Sequence, residues 1–124
     1  MARILVAEDE VSVRALVMRA LTQDGHEVVA TDDGAAALEV LQREHGRFDL
    51  LLTDIKMPVM DGLELALAIA RDFPELPIVL MTGYADQRER ASGLDALICD
   101  VIAKPFTLAE LRLSIAAALA KPAR

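Results

Sequence analysis

Residues 50–62 read Leu-Leu-Leu-Thr-Asp-Ile-Lys-Met-Pro-Val-Met-Asp-Gly, and this stretch decides the fold class of the chain. It places one carboxylate, Asp54, directly after an apolar run and shortly before the turn residues Pro58 and Gly62. A short apolar run that ends in turn residues is typical of a buried strand, whose carboxyl end would present Asp54 to a ligand above the sheet. A lone aspartate before a turn more often accepts hydrogen bonds from nearby backbone amides than binds a ligand. The rest of the sequence has to show which of these two roles Asp54 has.

Apolar runs and helical patterns alternate along the whole sequence. The predicted strands are Arg3–Ala7, Glu27–Thr31, Phe48–Thr53, Leu76–Met81 and Leu97–Ala103. The predicted helices run from the N-cap Ser12 to the stop at Gly25, from Asp33 to near Gly46, from beyond Gly62 to before Pro74, over Ala85–Ser92, and from the capping box Thr107–Glu110 to the end. Short connections between alternating strands and helices predict an α/β fold, with a five-stranded parallel sheet and five helices on both of its faces.

Length and composition point to one domain that binds proteins or cations. The 124 residues suit a single domain over 1–124 with no output domain, because no linker or repeat interrupts them. A net charge of -7 without a basic cluster argues against a nucleic-acid partner. The apolar runs are shorter than the ~18 residues of a membrane span, and early acidic residues leave no signal-peptide core. We therefore expect a cytoplasmic protein without a membrane partner.

The candidate site residues follow four of the five predicted strands. Glu8 and Asp9 follow the first strand, Asp54 the third, Thr82 the fourth and Lys104 the fifth. The carboxyl ends of parallel strands emerge at one edge of a sheet, so these groups should converge although they are far apart in sequence. The sequence therefore predicts a site there.

The residue types at this edge indicate phosphoryl chemistry beside a metal ion. Clustered carboxylates are unfavourable unless a cation neutralises them, and a site with one or two direct carboxylates suits Mg²⁺. Thr82 and Lys104 are donors that would bind a phosphoryl group next to the ion. Carboxylates are nucleophiles toward phosphoryl donors, which makes Asp54 the candidate phosphoacceptor and leaves Glu8 to act through metal-bound water.

These residues resemble the response-regulator receiver family over essentially the whole chain. The resemblance is carried by Glu8-Asp9, Asp54–Pro58 with Asp61-Gly62, Thr82, and Lys104-Pro105-Phe106. It implies the flavodoxin-like receiver fold with strand order 2-1-3-4-5 and a cis peptide bond before Pro105. It also implies Mg²⁺ ligation by Asp9, by Asp54 and by the backbone carbonyl of Lys56.

The resemblance further implies a phosphoacceptor signalling protein of a two-component system or phosphorelay. Such a protein is not an enzyme for other substrates, but assists its own phosphorylation and dephosphorylation. A histidine kinase or histidine phosphotransferase would supply the phosphoryl group from a phosphohistidine, and Asp54 phosphorylation would switch a protein-binding surface. The segment Met81–Arg90 and the absence of an output domain are similar to CpdR-type single-domain receivers of alphaproteobacteria, which are associated with the AAA+ protease ClpXP. We expect a monomer or weak dimer.

Two positions depart from the usual receiver pattern. Val101 stands where receivers often carry an aromatic switch residue that moves with the Thr82 position. We hypothesise that Tyr84 partly replaces it, the alternative being a loop tyrosine with a packed ring and a wet hydroxyl. Lys56 could fold over the pocket and alter phosphoryl lifetime, but extension into solvent is favoured. Asp33 is interpreted as a helix cap and Asp61 as a turn former.

Three other classes of protein were compared with this pattern. A dehalogenase-type phosphatase would carry a second acid two residues after its nucleophile, where this chain has Lys56. A flavin-binding module would carry a hydroxyl-rich or glycine-rich loop after the first strand, where Glu8-Asp9-Glu10 would repel phosphate. A receiver-like protein-binding module that acts without phosphorylation remains the alternative to a phosphoacceptor.

Overall fold

Five short apolar segments form the strands of one sheet. The computed structural model describes residues 2–83, 93 and 96–120. The strands are β1 (Arg3–Ala7), β2 (Glu27–Thr31), β3 (Leu50–Asp54), β4 (Ile78–Thr82) and β5 (Asp100–Ala103). Every residue of β3 and β4 is buried, which is why these strands read as continuous apolar runs instead of alternating ones.

The helices within the described ranges are α1 (Val11–Gln23), α2 (Gly34–Arg43), α3 (Gly62–Asp72) and α4 (Leu108–Ala120). The predicted helix over Ala85–Ser92 lies outside the described residues. The aspartates before α2 and α3 cap them, since the Asp33 side chain accepts a hydrogen bond from the Ala36 amide and the Asp61 side chain accepts one from the Glu64 amide.

All strand pairs are parallel, and their order is β2-β1-β3-β4-β5, as the resemblance implied. The register aligns Ala7 with both Thr31 and Thr53, so β1 and β2 end at the same level and β3 extends one residue further, to Asp54. The strand order reverses beside β1, and the crevice above β1 and β3 is where folds of this kind place ligands.

Two apolar layers cover the sheet, one on each face. Residues that point to one side of the strands pack with α2 and α3, and residues that point to the other side pack with α1 and α4. Leu51 belongs to the first layer, whereas Leu50 and Leu52 belong to the second. Alternate residues of one strand therefore supply both cores, and this burial fixes the register that brings the strand ends together.

Several local predictions differ from the structure. Ser12 is not the N-cap of α1, because Glu10 occupies that position and the helix begins at Val11. Asp61 is more than a turn former, since with Glu64 it makes a capping box for α3. The predicted box of Thr107 and Glu110 is confirmed by reciprocal hydrogen bonds of 2.9 and 3.0 Å. The third, fourth and fifth strands begin two or three residues later than predicted, where their pairing ladders start.

No helix in the described part of the chain is both long enough and apolar enough to cross a membrane.

Candidate functional site

The carboxyl edge of the sheet brings together groups that are far apart in sequence. Asp54 and Thr82 are the last residues of β3 and β4, and Glu8 and Lys104 directly follow β1 and β5. Thr82 is aligned with Ala103, and the backbone amide of Lys104 donates to the Thr82 carbonyl at 2.6 Å. The predicted convergence at this edge is therefore present in the structure.

Lys104 links two buried carboxylates. Its Nζ lies 2.6 Å from Oε1 of Glu8 and 3.1 Å from Oδ2 of Asp54. The side chain of Glu8 is fully buried, and those of Asp54 and Lys104 are 9% and 18% exposed. Little water reaches these charges, so the ammonium is their main compensation among the described residues.

The direct contact between Glu8 and Lys104 is a feature that the sequence reasoning missed. Oε2 of Glu8 accepts a hydrogen bond from the Glu10 amide at 3.1 Å, so both carboxylate oxygens are engaged. Arg14 of α1 donates from Nη1 to the Glu8 carbonyl at 2.8 Å and holds the turn after β1. The sequence places Arg14 one helical turn after Glu10, and this spacing could have indicated that its side chain reaches the turn after β1.

The pKa values of the pair reflect their burial and their mutual attraction. Burial raises the pKa of Glu8 from 4.5 to about 7, although the Lys104 hydrogen bond and the Glu10 amide act in the opposite direction. Burial alone would lower the pKa of Lys104, but the Glu8 hydrogen bond and the charge of Asp54 outweigh it, so that pKa is raised. Lys104 is therefore charged at neutral pH, and Glu8 depends on it for its charge.

Three carboxylates form a cluster at the top of the edge. One oxygen from each of Glu8, Asp9 and Asp54 lies within 4.8 Å of the others. Asp9 is exposed, whereas the other two are buried. With one ammonium among them, the group carries an excess of two negative charges when all are ionised. Hard oxygen donors with that excess fit a divalent cation such as Mg²⁺.

Thr82, the last residue of β4, has a buried hydroxyl without a hydrogen-bond partner. Thr82 is 1% exposed, and its Oγ1 is the one buried side-chain polar atom without such a partner in the described part of the chain. A buried hydroxyl normally finds a partner because leaving it unpaired costs about 1–3 kcal/mol. The strand end therefore has a donor available for an incoming acceptor group.

The backbone after β3 folds back tightly over the site. The Ile55 amide donates to Oδ1 of Asp54 at 2.9 Å, and the Gly62 amide donates to the Ile55 carbonyl at 2.7 Å. A Cβ at Gly62 would lie 2.1 Å from the Asp54 carbonyl oxygen, so only glycine fits there. Sequence reasoning assigned Gly62 to a turn and missed this contact.

A cleft of about 920 Å³ opens over the edge. Four predicted site residues line it, namely Asp9, Asp54, Lys56 and Lys104. Its walls are Glu10, Val13, Leu16, Met57, Pro58, Gly83, Pro105 and Phe106. The peptide bond before Pro105 is cis, as the resemblance implied. Phe106 was quoted only as part of a motif, and its place in the cleft wall was not foreseen.

Two of the three predicted switch positions can be placed. Thr82 is buried at the end of β4, and Val101 of β5 is partly buried against the layer that includes α2 and α3. Tyr84 lies outside the described residues, so its proposed role stays a prediction.

The sequence matches a family of known proteins whose expected fold is the one described above. The response regulator receiver domain family matches residues 4–116. The chain belongs to this family. The match identifies the chain as a receiver domain of two-component signalling, and the resemblance seen in the sequence is confirmed.

Individual relatives place this receiver among both short and long regulators. It is 42% identical over 111 residues to the response regulator receiver protein CpdR of Brucella abortus, covering 90% of this chain and 91% of that one. It is 39% identical over 117 residues to the response regulator MprA of Mycobacterium leprae. That match covers 94% of this chain and 50% of MprA, so the chain spans about half the length of that relative.

Solved structures share the fold of this receiver. A response regulator receiver domain protein of Clostridium thermocellum superposes with a TM-score of 0.87 at 25% identity, covering 96% of this chain and 94% of that one. Response regulator TrrA of Thermotoga maritima, solved in complex with Mg²⁺-BeF, superposes with a TM-score of 0.82 at 32% identity, covering 94% and 97%. The fold and the strand order are therefore those expected.

Proposed function

We propose that this receiver accepts a phosphoryl group on Asp54 in a Mg²⁺-dependent reaction and thereby switches a protein-binding surface. The donor is a phosphohistidine of a histidine kinase or histidine phosphotransferase. The observation that carries the proposal is the Thr82 hydroxyl, which is buried without a hydrogen-bond partner at the end of β4, between the strand that ends in Asp54 and the strand that Lys104 follows. A neutral donor next to an ammonium is suited to the oxygens of a phosphoryl group.

Asp54 is the nucleophile of the proposed reaction. One of its carboxylate oxygens forms a bond to phosphorus while the bond from phosphorus to the donor histidine breaks, and the electron pair leaves with the imidazole. The Ile55 amide, 2.9 Å from Oδ1, and Lys104, 3.1 Å from Oδ2, hold the carboxylate in a fixed orientation. Fixed orientation is a large part of catalysis in phosphoryl transfer.

Lys104 and Thr82 stabilise the transferred group. The ammonium neutralises charge on one phosphoryl oxygen, and the Thr82 hydroxyl donates a hydrogen bond to another. Both act from a site that is largely shielded from water, where such interactions are stronger than in solvent. In the free protein, Glu8 keeps Lys104 at this edge through the 2.6 Å contact.

The carboxylates and one backbone carbonyl would hold the metal ion. Asp9 and Asp54 are the proposed direct ligands, with the Lys56 carbonyl as a third and Glu8 acting through water. Glu8 is fully buried and does not line the cleft, whereas Asp9 and Asp54 do, which favours that indirect role. Mg²⁺, when bound, supplies positive charge beside the phosphoryl oxygens. The excess of two negative charges in the cluster supports the assignment.

The output of the switch is a protein contact. The likeness to CpdR over nearly the full length of both chains supports a receiver that acts as a single domain over residues 1–124. On the same likeness we extend the proposal to control of regulated proteolysis through a AAA+ protease such as ClpXP. A cytoplasmic monomer or weak dimer suits that role. The alternative is a receiver that binds its partner without phosphorylation.

Incubation with MgCl₂ and acetyl phosphate, followed by intact-mass spectrometry, tests the phosphoacceptor claim. The wild type should gain one phosphoryl mass that is lost on treatment with hydroxylamine, and Asp54→Asn should gain none. Asp32→Asn is the matched control, because Asp32 is an exposed aspartate that follows strand β2 at the same edge of the sheet. It should be labelled like the wild type.

A wild type that gains no adduct would support the alternative, and an equal adduct on Asp54→Asn would remove Asp54 from the mechanism. Binding of a captured effector can then be compared between the phosphorylated and unphosphorylated forms. Equal binding would overturn the proposed switch.

A further inference from the structure

The loop between β3 and α3 contains a strained turn. The Met60 amide donates to the Pro58 carbonyl at 2.8 Å, which closes a three-residue turn around Val59 with a φ of 68°. A turn of this size with a positive φ is rare and strained, especially for a β-branched residue. The Val59 side chain is 83% exposed, so its own packing does not hold the turn. Strain of this kind persists only where surrounding contacts fix the backbone.

One of those contacts comes from the first residue of α2. The Gly34 amide donates to the Met60 carbonyl at 3.1 Å. A Cβ on Gly34 would lie 2.4 Å from that carbonyl oxygen and 3.1 Å from Cγ of Met60. No side chain fits at position 34, because the Met60 carbonyl that accepts the hydrogen bond from the Gly34 amide also occupies the space of a Cβ. The cap from Asp33 to the Ala36 amide, 2.7 Å long, fixes the start of α2 behind it.

The start of the loop is fixed by contacts of Gly62 with the Asp54 and Ile55 backbone. The loop between these two glycine contacts begins directly after Asp54 and carries the Lys56 carbonyl. A methyl group on Gly34 would displace Met60 by roughly 1 Å. The loop is closely packed and its start is held by Gly62, so it cannot absorb this displacement locally. The displacement would be transmitted to the backbone around Asp54 and Lys56.

From this geometry we infer that Gly34 is a positioning residue for the metal and phosphoryl site. The inference rests on the proposed function of that site. Gly34 acts through the Met60 carbonyl, which sets the path of the loop and thereby the placement of the Lys56 carbonyl. The start of α2 thus belongs to the site's supporting structure, although it is not among the residues that line the cleft.

Mg²⁺ titration of the full chain, followed by amide chemical shifts, tests this role. Gly34→Ala should weaken Mg²⁺ binding by about tenfold, the lower range for loss of a group that supports metal ligands. Val40→Ala is the matched control, since it truncates a buried side chain of the same helix away from the loop. It should lower thermal stability and leave the Mg²⁺ dissociation constant unchanged. In the metal-free Gly34→Ala protein, the Met60 and Gly62 amide resonances should also shift, whereas in Val40→Ala they should not.

The outcomes separate the positioning role of Gly34 from the proposed function of the site. Wild-type protein that binds Mg²⁺, together with Gly34→Ala of equal affinity, would overturn the positioning role and leave the proposed function standing. Wild-type protein that binds no Mg²⁺ would overturn both. Should Gly34→Ala fail to fold, Asp33→Ala loosens the same turn without adding an atom. It should still bind Mg²⁺ more weakly than Val40→Ala, and equal affinities would overturn the inference.

Discussion

Replacing Lys104 with methionine removes the ammonium that the structure places against Glu8 and Asp54. At an effective dielectric constant of about 20, the contacts of 2.6 and 3.1 Å correspond to about 6 and about 5 kcal/mol of attraction when both carboxylates are ionised. The cost of burying the lysine offsets much of this. Removing one partner of a buried ion pair typically destabilises a protein by about 3–5 kcal/mol. We expect Lys104→Met to lower the free energy of unfolding by about 3 kcal/mol near pH 6, the low end of that range, because Glu8, with its pKa raised to about 7, is mostly neutral there.

The loss should grow above neutral pH because Glu8 titrates there. In the wild type the pKa of Glu8 is raised by burial to about 7 from 4.5, so its contribution to stability is full below pH 4.5 and lost as pH rises through about 7. The Lys104 hydrogen bond and charge lower that pKa, so it rises further in the variant. Above pH 7 the folded variant keeps the Glu8 proton, whereas the unfolded variant and both states of the wild type lose it. The free energy of unfolding of the variant therefore falls by about 1.4 kcal/mol per pH unit relative to wild type.

Urea denaturation followed by far-ultraviolet circular dichroism, without Mg²⁺, measures both effects. The expected destabilisation is about 3 kcal/mol near pH 6 and about 4 kcal/mol near pH 8. Lys56→Met is the control, because Lys56 is an exposed lysine on the same edge and its loss should change stability by less than about 0.5 kcal/mol. A loss below about 1 kcal/mol for Lys104→Met, or one that does not grow between pH 7 and pH 8, would refute the reasoning.

Three further perturbations test separate parts of the site. Gly62→Ala should destabilise the fold by about 2–3 kcal/mol, because its Cβ would meet the Asp54 carbonyl, whereas Gly93→Ala, with open space around it, should be nearly neutral in the same urea experiment. Mg²⁺ at about 100 times its dissociation constant for the wild type should add about 2.7 kcal/mol to the free energy of unfolding. A similar gain for Asp9→Asn at the same Mg²⁺ concentration would argue against Asp9 as a metal ligand. Val59→Gly should stabilise the metal-free protein by about 1 kcal/mol by relieving the positive φ, and a loss of stability would contradict the assigned strain.

Much of the fold could be predicted because burial on both faces leaves a strong sequence signal. The runs around Ile4 and Leu51 are continuous and apolar, and each ends in a charged residue, so the sequence locates both the strands and the edge that carries the site. The strand order came from the resemblance to receivers, since periodicity does not specify which strands are neighbours. Asp33 was recognisable as a cap because its side chain precedes an apolar helical stripe.

The features that were missed depend on three-dimensional contacts that no local pattern encodes. The pairing of Glu8 with Lys104 joins residues 96 positions apart. Gly34 and Gly62 look like ordinary turn glycines until the carbonyl groups opposite them are placed. Ser12 was predicted as the N-cap of α1 because serine is preferred at that position. In the structure the Glu10 amide donates to the Glu8 side chain, and Glu10 is the N-cap of a helix that begins at Val11.

Trapping the phosphorylated residue tests the central claim most directly. After incubation with MgCl₂ and acetyl phosphate, borohydride reduction converts an aspartyl phosphate to homoserine, which peptide mass spectrometry locates in the sequence. We predict homoserine at position 54 and none at Asp9 or Asp61. Reduction at either of those aspartates, or no modified peptide from protein that binds Mg²⁺, would contradict the assignment of Asp54 as the phosphoacceptor.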